Sequence, residues 1–479
     1  MVNTESPATL EPLRSVHTTN FPDLLNQLGI SLVVSTYQAG KVVLLRGDEG
    51  TLNTHFRIFQ KPMGLAADPQ GRIAVGTGSQ IWEFRNVPAV APKLEPKGKH
   101  DACFLPRNMH VTGDIDIHEM AWGKAGLWFV NTRFSCLCTL DLDHSFVPRW
   151  RPSFVSAYAP EDRCHLNGLE LVDGQPKYVT ALGTTDTPGG WRDNKAKGGI
   201  LIDVTNNELV AQNLSMPHSP RWYQDQLWVL ESGDGSLAKV NPTTGQLDPV
   251  VQLPGFTRGI DFCGPLAFIG LSQVRESAVF SGLPLTERLT ERTCGVWVVN
   301  IDTAEIVAFL KFEDAVQEIF SVQVLWGSRF PELLVDDNEL LKSSYVLPDE
   351  ALAEVEMTNR PPSAAEVCFQ AAFQAYQAGQ LEEAVAQYRQ GLELNPKQMV
   401  ARYRLGVILV DLKRWQEGIE QLTQVIAERT DHVEAHNSLG VAYLNVQDKA
   451  KAQWHFERAL ALNPKFVLAR NNLQALQNQ

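Results

Sequence analysis

The stretch His118-Glu-Met-Ala-Trp122, followed by Leu127-Trp128-Phe-Val, aligns without a gap with His218-Ser-Pro-Arg-Trp222 and Leu227-Trp228-Val-Leu. His, Trp, Leu and Trp recur in the same register 100 residues apart. Short apolar strands that repeat at such a distance are typical of a β-propeller, in which equivalent residues of different blades face one central axis. We therefore expect the two histidines to point toward the same tunnel.

The region around this repeat is rich in short strands of β-branched and aromatic residues separated by Gly, Asp-Gly and Pro turns. Six inner strands are predicted to start near Met63, His118, His165, His218, Arg258 and Glu318. The N-terminal strands in 31–58 lack an inner strand, and the C-terminal segment 319–335 lacks outer ones. Pairing the two ends completes a blade and removes a sheet edge. The sequence predicts an all-β six-bladed propeller over residues 25–335, after an N-terminal extension, 1–24.

The pattern changes after residue 335. A polar, Pro-containing linker, 336–363, precedes a helical region with a 34-residue period, in which Ala372, Gly406 and Gly440 fall in register. This region resembles the tetratricopeptide repeat (TPR), whose small residues let antiparallel helices pack closely. Residues 364–479 are predicted to form an all-α TPR solenoid of three repeats and a capping helix.

The concave face of a TPR array usually binds an extended peptide or a helix of another protein, so a protein or peptide partner is expected there. Tyr403, Val407, Asn437 and Val441 occupy the places where related arrays carry a basic, Asn-lined clamp. An array that associates with itself or packs within the chain is the alternative.

Charge and composition narrow the class of protein. The net charge of −13 disfavours nucleic-acid and anionic-membrane partners. No apolar run of membrane-spanning length is present, and the N-terminal sequence lacks the features of a signal peptide. Seven scattered cysteines without a CxxC motif indicate reduced thiols and a cytoplasmic protein.

The three strand-start histidines, His118, His165 and His218, are candidate ligands of a transition metal such as iron, copper, zinc or manganese. Glu119 and Glu318 are candidate catalytic carboxylates that complete or orient this site. Arg258 is expected to hold a carboxylate or phosphate group of a small anionic substrate. The alternatives are histidines that bond backbone carbonyls or tunnel water, and an Arg258 that pairs with Glu318.

Two further features are left with two interpretations each. The Gly-rich segment 183–194 contains Trp191 and is either a lid or an ordinary long blade loop. Cys136 and Cys138 lie on one face of a strand, as small core residues or as a redox or metal pair. No Walker A, GxSxG or HExxH motif is present.

Several motifs resemble a bacterial, notably cyanobacterial, propeller family of unknown function, over about residues 25–335. They are Arg163-Cys-His-Leu-Asn-Gly-Leu, Met216-Pro-His-Ser-Pro-Arg-Trp, Leu230-Glu-Ser-Gly, Gly255-Phe-Thr-Arg-Gly and Gly270-Leu-Ser-Gln-Val-Arg-Glu. The resemblance implies the fold and no particular activity. The histidines are also similar in layout to those of propeller oxygenases, which hold iron with four histidines on seven blades.

These observations favour a metal-dependent enzyme of oxygenase or hydrolase type, in which the TPR region recruits a partner or substrate. A lactonase-like hydrolase is a further enzymatic alternative. The competing hypothesis is a non-catalytic scaffold, because propellers and helical repeats are both common interaction platforms.

Overall fold

A computed structural model describes residues 13–274, 282–335, 338–352, 363–464 and 466–477. The chain divides between Val346 and Leu347 into two compact units, a β unit and a helical unit. Residues 1–12 of the predicted N-terminal extension and much of the predicted linker lie outside the described residues. No helix in the described ranges is long and apolar enough to cross a membrane.

The β unit contains strands and short helices in the following order. Its first half comprises β1 Ser15–His17, α1 Phe21–Leu28, β2 Ile30–Thr36, β3 Lys41–Asp48, β4 Thr51–Ile58, β5 Leu65–Asp68, β6 Arg72–Gly76, β7 Gln80–Asn86, β8 Ala102–Val111, β9 Ile117–Gly123, β10 Gly126–Asn131, β11 Cys136–Thr139 and β12 Val147–Trp150. Its second half comprises β13 Leu166–Val172, β14 Gln175–Ala181, β15 Gly199–Asp203, β16 Glu208–Leu214, β17 Pro217–Tyr223, β18 Gln226–Glu231, β19 Ser236–Val240, β20 Leu247–Gln252, β21 Phe256–Cys263, β22 Leu266–Ser272, α2 Pro284–Arg288, β23 Cys294–Asn300, β24 Glu305–Phe312, β25 Ser321–Trp326, β26 Pro331–Leu333 and α3 Asn338–Lys342.

These strands form six antiparallel sheets, which are the six predicted blades. Blades 1 to 5 are β5–β8, β9–β12, β13–β16, β17–β20 and β21–β24, and blade 6 is β25 with β2–β4. Two short strands add to the outer edges, because β1 pairs with β24 and β26 pairs in parallel with β8. Apolar side chains of neighbouring blades pack between the sheets and form the core.

Blade 6 closes the ring with strands from both ends of the unit. β25 runs antiparallel to β2, from the pair Ile30 and Trp326 to the pair Ser35 and Ser321. The predicted pairing of the two ends is confirmed. Only 321–326 of the predicted segment 319–335 forms the inner strand, since the chain then turns away and β26 extends blade 1.

The residues of the hairpin turns explain where the strands end. Asp173 and Gly174 connect β13 to β14 with φ values of 52° and 72°. Two consecutive positive φ values define the hairpin turn that suits the strand twist, and Asp-Gly is the dipeptide that favours it. Such turns set the register in which the inner strands face the axis.

The helical unit is a TPR array, as predicted. Its helices are α4 Asp349–Leu352, α5 Ala364–Gln377, α6 Leu381–Leu394, α7 Met399–Asp411, α8 Trp415–Glu428, α9 Val433–Asn445, α10 Lys449–Leu462 and α11 Val467–Gln477. A Cβ at Gly440 would lie 2.4 Å from the ring of Phe456, and one at Gly406 would lie 2.7 Å from Leu422. The glycines that recur in the sequence therefore allow paired helices to pack closely.

Candidate functional site

A closed ring of hydrogen bonds ties each blade to the next, near the start of the next blade's inner strand. The bonds run from Gly64 N to Ile117 O (3.1 Å), Thr132 Oγ1 to Leu166 O (2.6 Å), Asn167 Nδ2 to Pro217 O (3.0 Å), Ser232 Oγ to Thr257 O (2.5 Å), Ser272 Oγ to Ile319 O (2.9 Å) and Ser35 Oγ to Met63 O (2.5 Å). Each acceptor carbonyl precedes the equivalent residue of its blade. These equivalent residues, which we call the inner tier, are Gly64, His118, Asn167, His218, Arg258 and Phe320.

A second tier lies two residues earlier in the chain, at the mouth of the tunnel. This mouth tier contains Asp116, His165, Met216, Phe256 and Glu318. Asp116, His165 and Met216 have φ values of 52°, 51° and 46°, a left-handed conformation that L-residues adopt at some cost. Because these three residues share this unusual conformation, they occupy equivalent positions in their blades. The residue two positions after His165, Asn167, is therefore the equivalent of His118.

The two tiers enclose a cavity of about 250 Å³. Its walls are the five mouth-tier residues, four inner-tier residues and three side chains from elsewhere: Asp116, His165, Met216, Phe256, Glu318, His118, His218, Arg258, Phe320, Tyr37, Met63 and Trp191. The structure thus brings His118, His165, His218, Arg258 and Glu318 to one cavity. Although the sequence placed all five at one strand-start position, they belong to two levels.

His118 and His218 are held in the same way. Nδ1 of His118 lies 3.2 Å from Asp116 O and 2.7 Å from Thr132 Oγ1. Because a carbonyl oxygen only accepts, Nδ1 carries the proton, and the Thr132 hydroxyl accepts from it while donating to Leu166. Nδ1 of His218 likewise lies 2.9 Å from Met216 O and 2.9 Å from Ser232 Oγ.

Nε2 is consequently the unprotonated nitrogen of both neutral rings. Within the part of the chain that the structure describes, neither Nε2 has a hydrogen-bond partner. Burial lowers the pKa of both rings well below the usual value, and the nearby charges of His165 and Arg258 lower it further. The site therefore presents two neutral imidazoles with free lone pairs.

His165 reaches the cavity from a different support. Its Nδ1 lies 3.0 Å from Asp162 Oδ1, and its ring centroid lies 4.8 Å from that of His118. The ring of Trp191 also packs against His165, with centroids 4.5 Å apart, and its Nε1 donates to Asp162 Oδ2. The Gly-rich segment 183–194 thus folds over the mouth in this structure, and its buried Trp191 forms one wall of the cavity.

Arg258 stacks on Phe320, with 3.6 Å between the guanidinium carbon and the ring centroid. Among the described residues, its nitrogens have no hydrogen-bond or ion-pair partner, although Glu318 lies near enough to raise its pKa. Burial has the larger effect and lowers the pKa of Arg258 to about 10. The predicted alternative of an Arg258–Glu318 ion pair is absent from this part of the chain, and the guanidinium faces the cavity.

Glu119 lies away from this cavity. Its Oε1 accepts from Arg221 at 2.6 Å, and its Oε2 accepts from the backbone N–H of Leu169 at 2.8 Å. Adjacent residues of a strand point to opposite sides, so Glu119 turns away from the His118 ring. Its contacts tie together the inner strands of blades 2, 3 and 4.

The histidines are not gathered around one point. In residues 13–274 and the other described segments, no three His, Cys, Asp or Glu side chains are close enough together to hold a metal ion. Cys136 and Cys138 have sulfurs 3.5 Å apart but are buried in the core between blades 1 and 2. The donor types at the axis suit a transition metal, while ion binding by all three rings requires them to move closer.

Sequence reasoning missed several residues of this site. Thr132 and Ser232 are themselves 100 residues apart, so extending the opening alignment by a few residues finds them. Tyr37 and Asp162 come from a turn and a loop outside the repeat, where no periodic signal exists.

On the helical unit, the asparagine of the predicted peptide-binding face already has a hydrogen-bond partner within the array. Asn437 is buried, and its Oδ1 accepts a hydrogen bond from Asn472 at 3.0 Å. Tyr403 packs against His432, with ring centroids 4.7 Å apart. The exposed side chains on the first helices of the repeats include the large side chains of Phe373, Tyr376 and Val400.

Comparison with known proteins agrees with this architecture. The family model described as "Domain of unknown function (DUF4915)" matches residues 19–334. The chain belongs to this family. Two models of the tetratricopeptide repeat match residues 374–413 and 409–465, so a TPR region, a type of module suited to protein interaction, follows the DUF4915 domain.

The curated relatives each match about a fifth of this chain. Human (Homo sapiens) tetratricopeptide repeat protein 17 is 32% identical over 101 residues, or 21% of this chain and 9% of that protein. The Hsp70-Hsp90 organizing protein of Triticum aestivum is 27% identical over 90 residues, or 19% of this chain and 16% of that protein. The chain thus spans a small part of these relatives.

Solved structures of TPR domains match about a quarter of this chain. The Arabidopsis OM64 TPR domain is 22% identical, with a TM-score of 0.24, and the match covers 24% of this chain and 96% of that one. The first TPR of Spaghetti (RPAP3), solved with an HSP90 peptide, is 22% identical, with a TM-score of 0.23, and the match covers 24% of this chain and 90% of that one.

Proposed function

We propose that the DUF4915 propeller is a metal-dependent enzyme of hydrolase or oxygenase type that acts on a small anionic substrate in the axial cavity. The TPR region recruits a protein or peptide, and the chain works in the cytoplasm. The observation that carries this proposal is the repeated anchoring of His118 and His218 through Nδ1, which leaves both Nε2 lone pairs at the cavity.

This anchoring is the arrangement that metal-ligating histidines use. Such rings almost always donate their other N–H to a carbonyl, carboxylate or similar oxygen, which fixes the tautomer and orientation. His165 fits the same rule because its Nδ1 is held by the Asp162 carboxylate. A bound transition metal would supply Lewis-acid or redox chemistry and activate water or dioxygen.

The charge of the cavity supports an anionic substrate. The Arg258 guanidinium offers several N–H donors in a fixed plane, and none is used by the described protein residues. A carboxylate or phosphate would accept two of these donors at once. Glu318, which lines the same cavity, would orient the substrate or exchange a proton with it.

Metal binding is tested by elemental analysis of the purified full chain beside the double variant His118→Ala/His218→Ala. About one equivalent of iron, copper, zinc or manganese in the wild type, lost in the double variant, supports the proposal. His110→Ala is the matched control, since His110 bonds Ser145 O away from the cavity. Failure of the wild type to bind any of these metals, even after reconstitution, overturns the metalloenzyme.

Anion binding is measured separately by calorimetry with oxalate and inorganic phosphate as probes. Arg258→Gln should weaken binding at least tenfold, because a charged bidentate contact is lost. Arg107→Gln, at an exposed arginine, is the control. Equal binding by wild type and Arg258→Gln contradicts the assignment of Arg258.

The TPR proposal rests on the exposed apolar side chains Phe373 and Tyr376 of α5 and Val400 of α7. We expect an extended apolar segment of the partner to cover them. Phe373→Ala/Tyr376→Ala should abolish partner capture by the full chain, whereas Val367→Ala, also on α5, is the matched exposed control. Capture that is unchanged in the double variant excludes this face.

A non-catalytic scaffold is the second candidate, favoured by the spread of the three histidines over two tiers. It predicts that the double histidine variant keeps full partner capture and that no stoichiometric metal is bound. The same elemental analysis therefore separates the two functions.

A further inference from the structure

A third set of equivalent residues lies toward the opposite mouth of the tunnel. Three residues after the inner tier, each blade contributes one residue to this far tier: Ala67, Ala121, Glu170, Arg221, Asp261 and Gln323. At about 3.3 Å per residue, the far tier lies roughly 15 Å from the mouth tier along the inner strands. All six residues line one cavity of about 370 Å³.

Far-tier side chains brace neighbouring blades. Glu170 Oε1 accepts from Trp222 N at 2.9 Å, Asp261 Oδ2 accepts from Val324 N at 2.7 Å, and Gln323 Oε1 accepts from Ala67 N at 3.2 Å. These bonds fix the carboxylates on rigid strands, so their positions hardly depend on a ligand.

The far tier has an excess of negative charge. The single guanidinium, that of Arg221, is bound at 2.6 Å by the Glu119 carboxylate. Glu170 and Asp261 therefore remain without a cationic partner within ion-pair distance among the described residues. Asp68 and Arg72, at the rim of the cavity, form an ion pair and so add no net charge.

Glu170 has unused bonding capacity. Its Oε2 has no hydrogen-bond partner in the described segments, although the side chain lines the cavity. Burial raises the pKa of Glu170 to about 7 and also raises the pKa of Asp261, because the nearby charge of Arg221 compensates only part of the lost hydration. A cationic ligand would add to that compensation.

The remaining walls suit an organic cation rather than a metal ion. Trp122, Trp222, Tyr223 and Phe262 line the same cavity as the carboxylates, and aromatic rings attract ammonium groups and cover methylene chains. The Arg72 guanidinium already stacks on Trp122 at 4.1 Å. The described residues offer no cluster of three carboxylate, His or Cys ligands for a metal ion.

We propose that the far-tier cavity binds an alkylammonium group, with Glu170 Oε2 as its direct hydrogen-bond acceptor and Asp261 as a second negative charge. A free diamine and a lysine side chain of a protein share this chemistry. The proposal is independent of the metal site and the anion site at the other mouth.

Isothermal calorimetry of the full chain tests the proposal with two probes, 1,4-diaminobutane and Nα-acetyl-lysine N-methylamide. Binding of the diamine alone identifies a free amine, and binding of the capped lysine identifies a protein side chain. Glu170→Gln keeps an acceptor for Trp222 N and should weaken binding at least tenfold. Glu305→Gln, at an exposed position at the start of β24, should leave it unchanged.

Proton linkage gives a second readout. Near pH 7, an ammonium ligand should displace the proton from Glu170, so the binding enthalpy should differ between phosphate and MOPS buffers in the wild type alone. The proposal is overturned if neither probe binds, or if Glu170→Gln binds as tightly as the wild type with the same buffer dependence.

Discussion

Replacing Thr132 with valine should measure how strongly the hydroxyl anchors the axial histidine. The substitution keeps the shape of the side chain but removes its bonds to Leu166 O and to the Nδ1 of His118. Thr132 and Leu166 are fully buried, so water cannot replace the lost partner of the carbonyl. An orphaned buried group costs about 1–3 kcal/mol, and His118 retains Asp116 O, so we expect a loss of about 2 kcal/mol.

Urea denaturation followed by tryptophan fluorescence is the assay. Ser232→Ala should cost a similar amount, because Ser232 makes the equivalent two bonds in blade 4. The double variant should lose about 4 kcal/mol, since the two sites share no partner and their effects should add. Thr243→Val, at an exposed loop position, is the control and should be neutral.

The reasoning fails if Thr132→Val and Ser232→Ala both stay within about 0.5 kcal/mol of the wild type. The hydroxyls would then not fix the rings, and the tautomer assigned to His118 and His218 would lose its main support.

Three further outcomes are expected. Because burial lowers the pKa of His118 and His218, the unfolded chain binds more protons below pH 6.5. As the pH is lowered, the free energy of unfolding should therefore decrease by up to about 1.4 kcal/mol per pH unit for each ring. His118→Gln/His218→Gln should flatten this slope in urea titrations at pH 5–7. Glu332→Gln should cost about 3 kcal/mol by thermal denaturation, because it removes the buried carboxylate that pairs with two arginines; no change would mean that the cluster is not stabilising. Gly440→Ala should destabilise the TPR region by about 1–3 kcal/mol, because the new Cβ meets Phe456, and adding Phe456→Leu should restore part of the loss in circular-dichroism melts.

The fold was predictable because both halves repeat. His118 and His218, at the same position of two blades, identified the propeller, and Gly406 and Gly440 identified the helical array. The closing blade followed from strands left unpaired at both ends. The added edge strands β1 and β26 were not predictable, since three-residue strands carry no pattern.

The sequence predicted which histidines line the cavity, but not which tier each of them belongs to. His165 appeared equivalent to His118 because both are histidines at a strand start, while the backbone places His165 two residues earlier with a positive φ. Alternation along a strand keeps such neighbours on one face, so the cavity was found although the level was misassigned. Trp191 and Asp162 come from loops, whose paths depend on tertiary contacts that no local pattern encodes.

The shared sixth blade has a consequence for biosynthesis. β2 emerges from the ribosome early, but its inner partner, β25, follows only about 300 residues later. At a typical rate of about 5–20 residues per second, the edge of β2 stays open for about 15–60 s during translation. An unpaired apolar edge is a template for wrong pairing, so the nascent chain has to be shielded until residue 326 is synthesised.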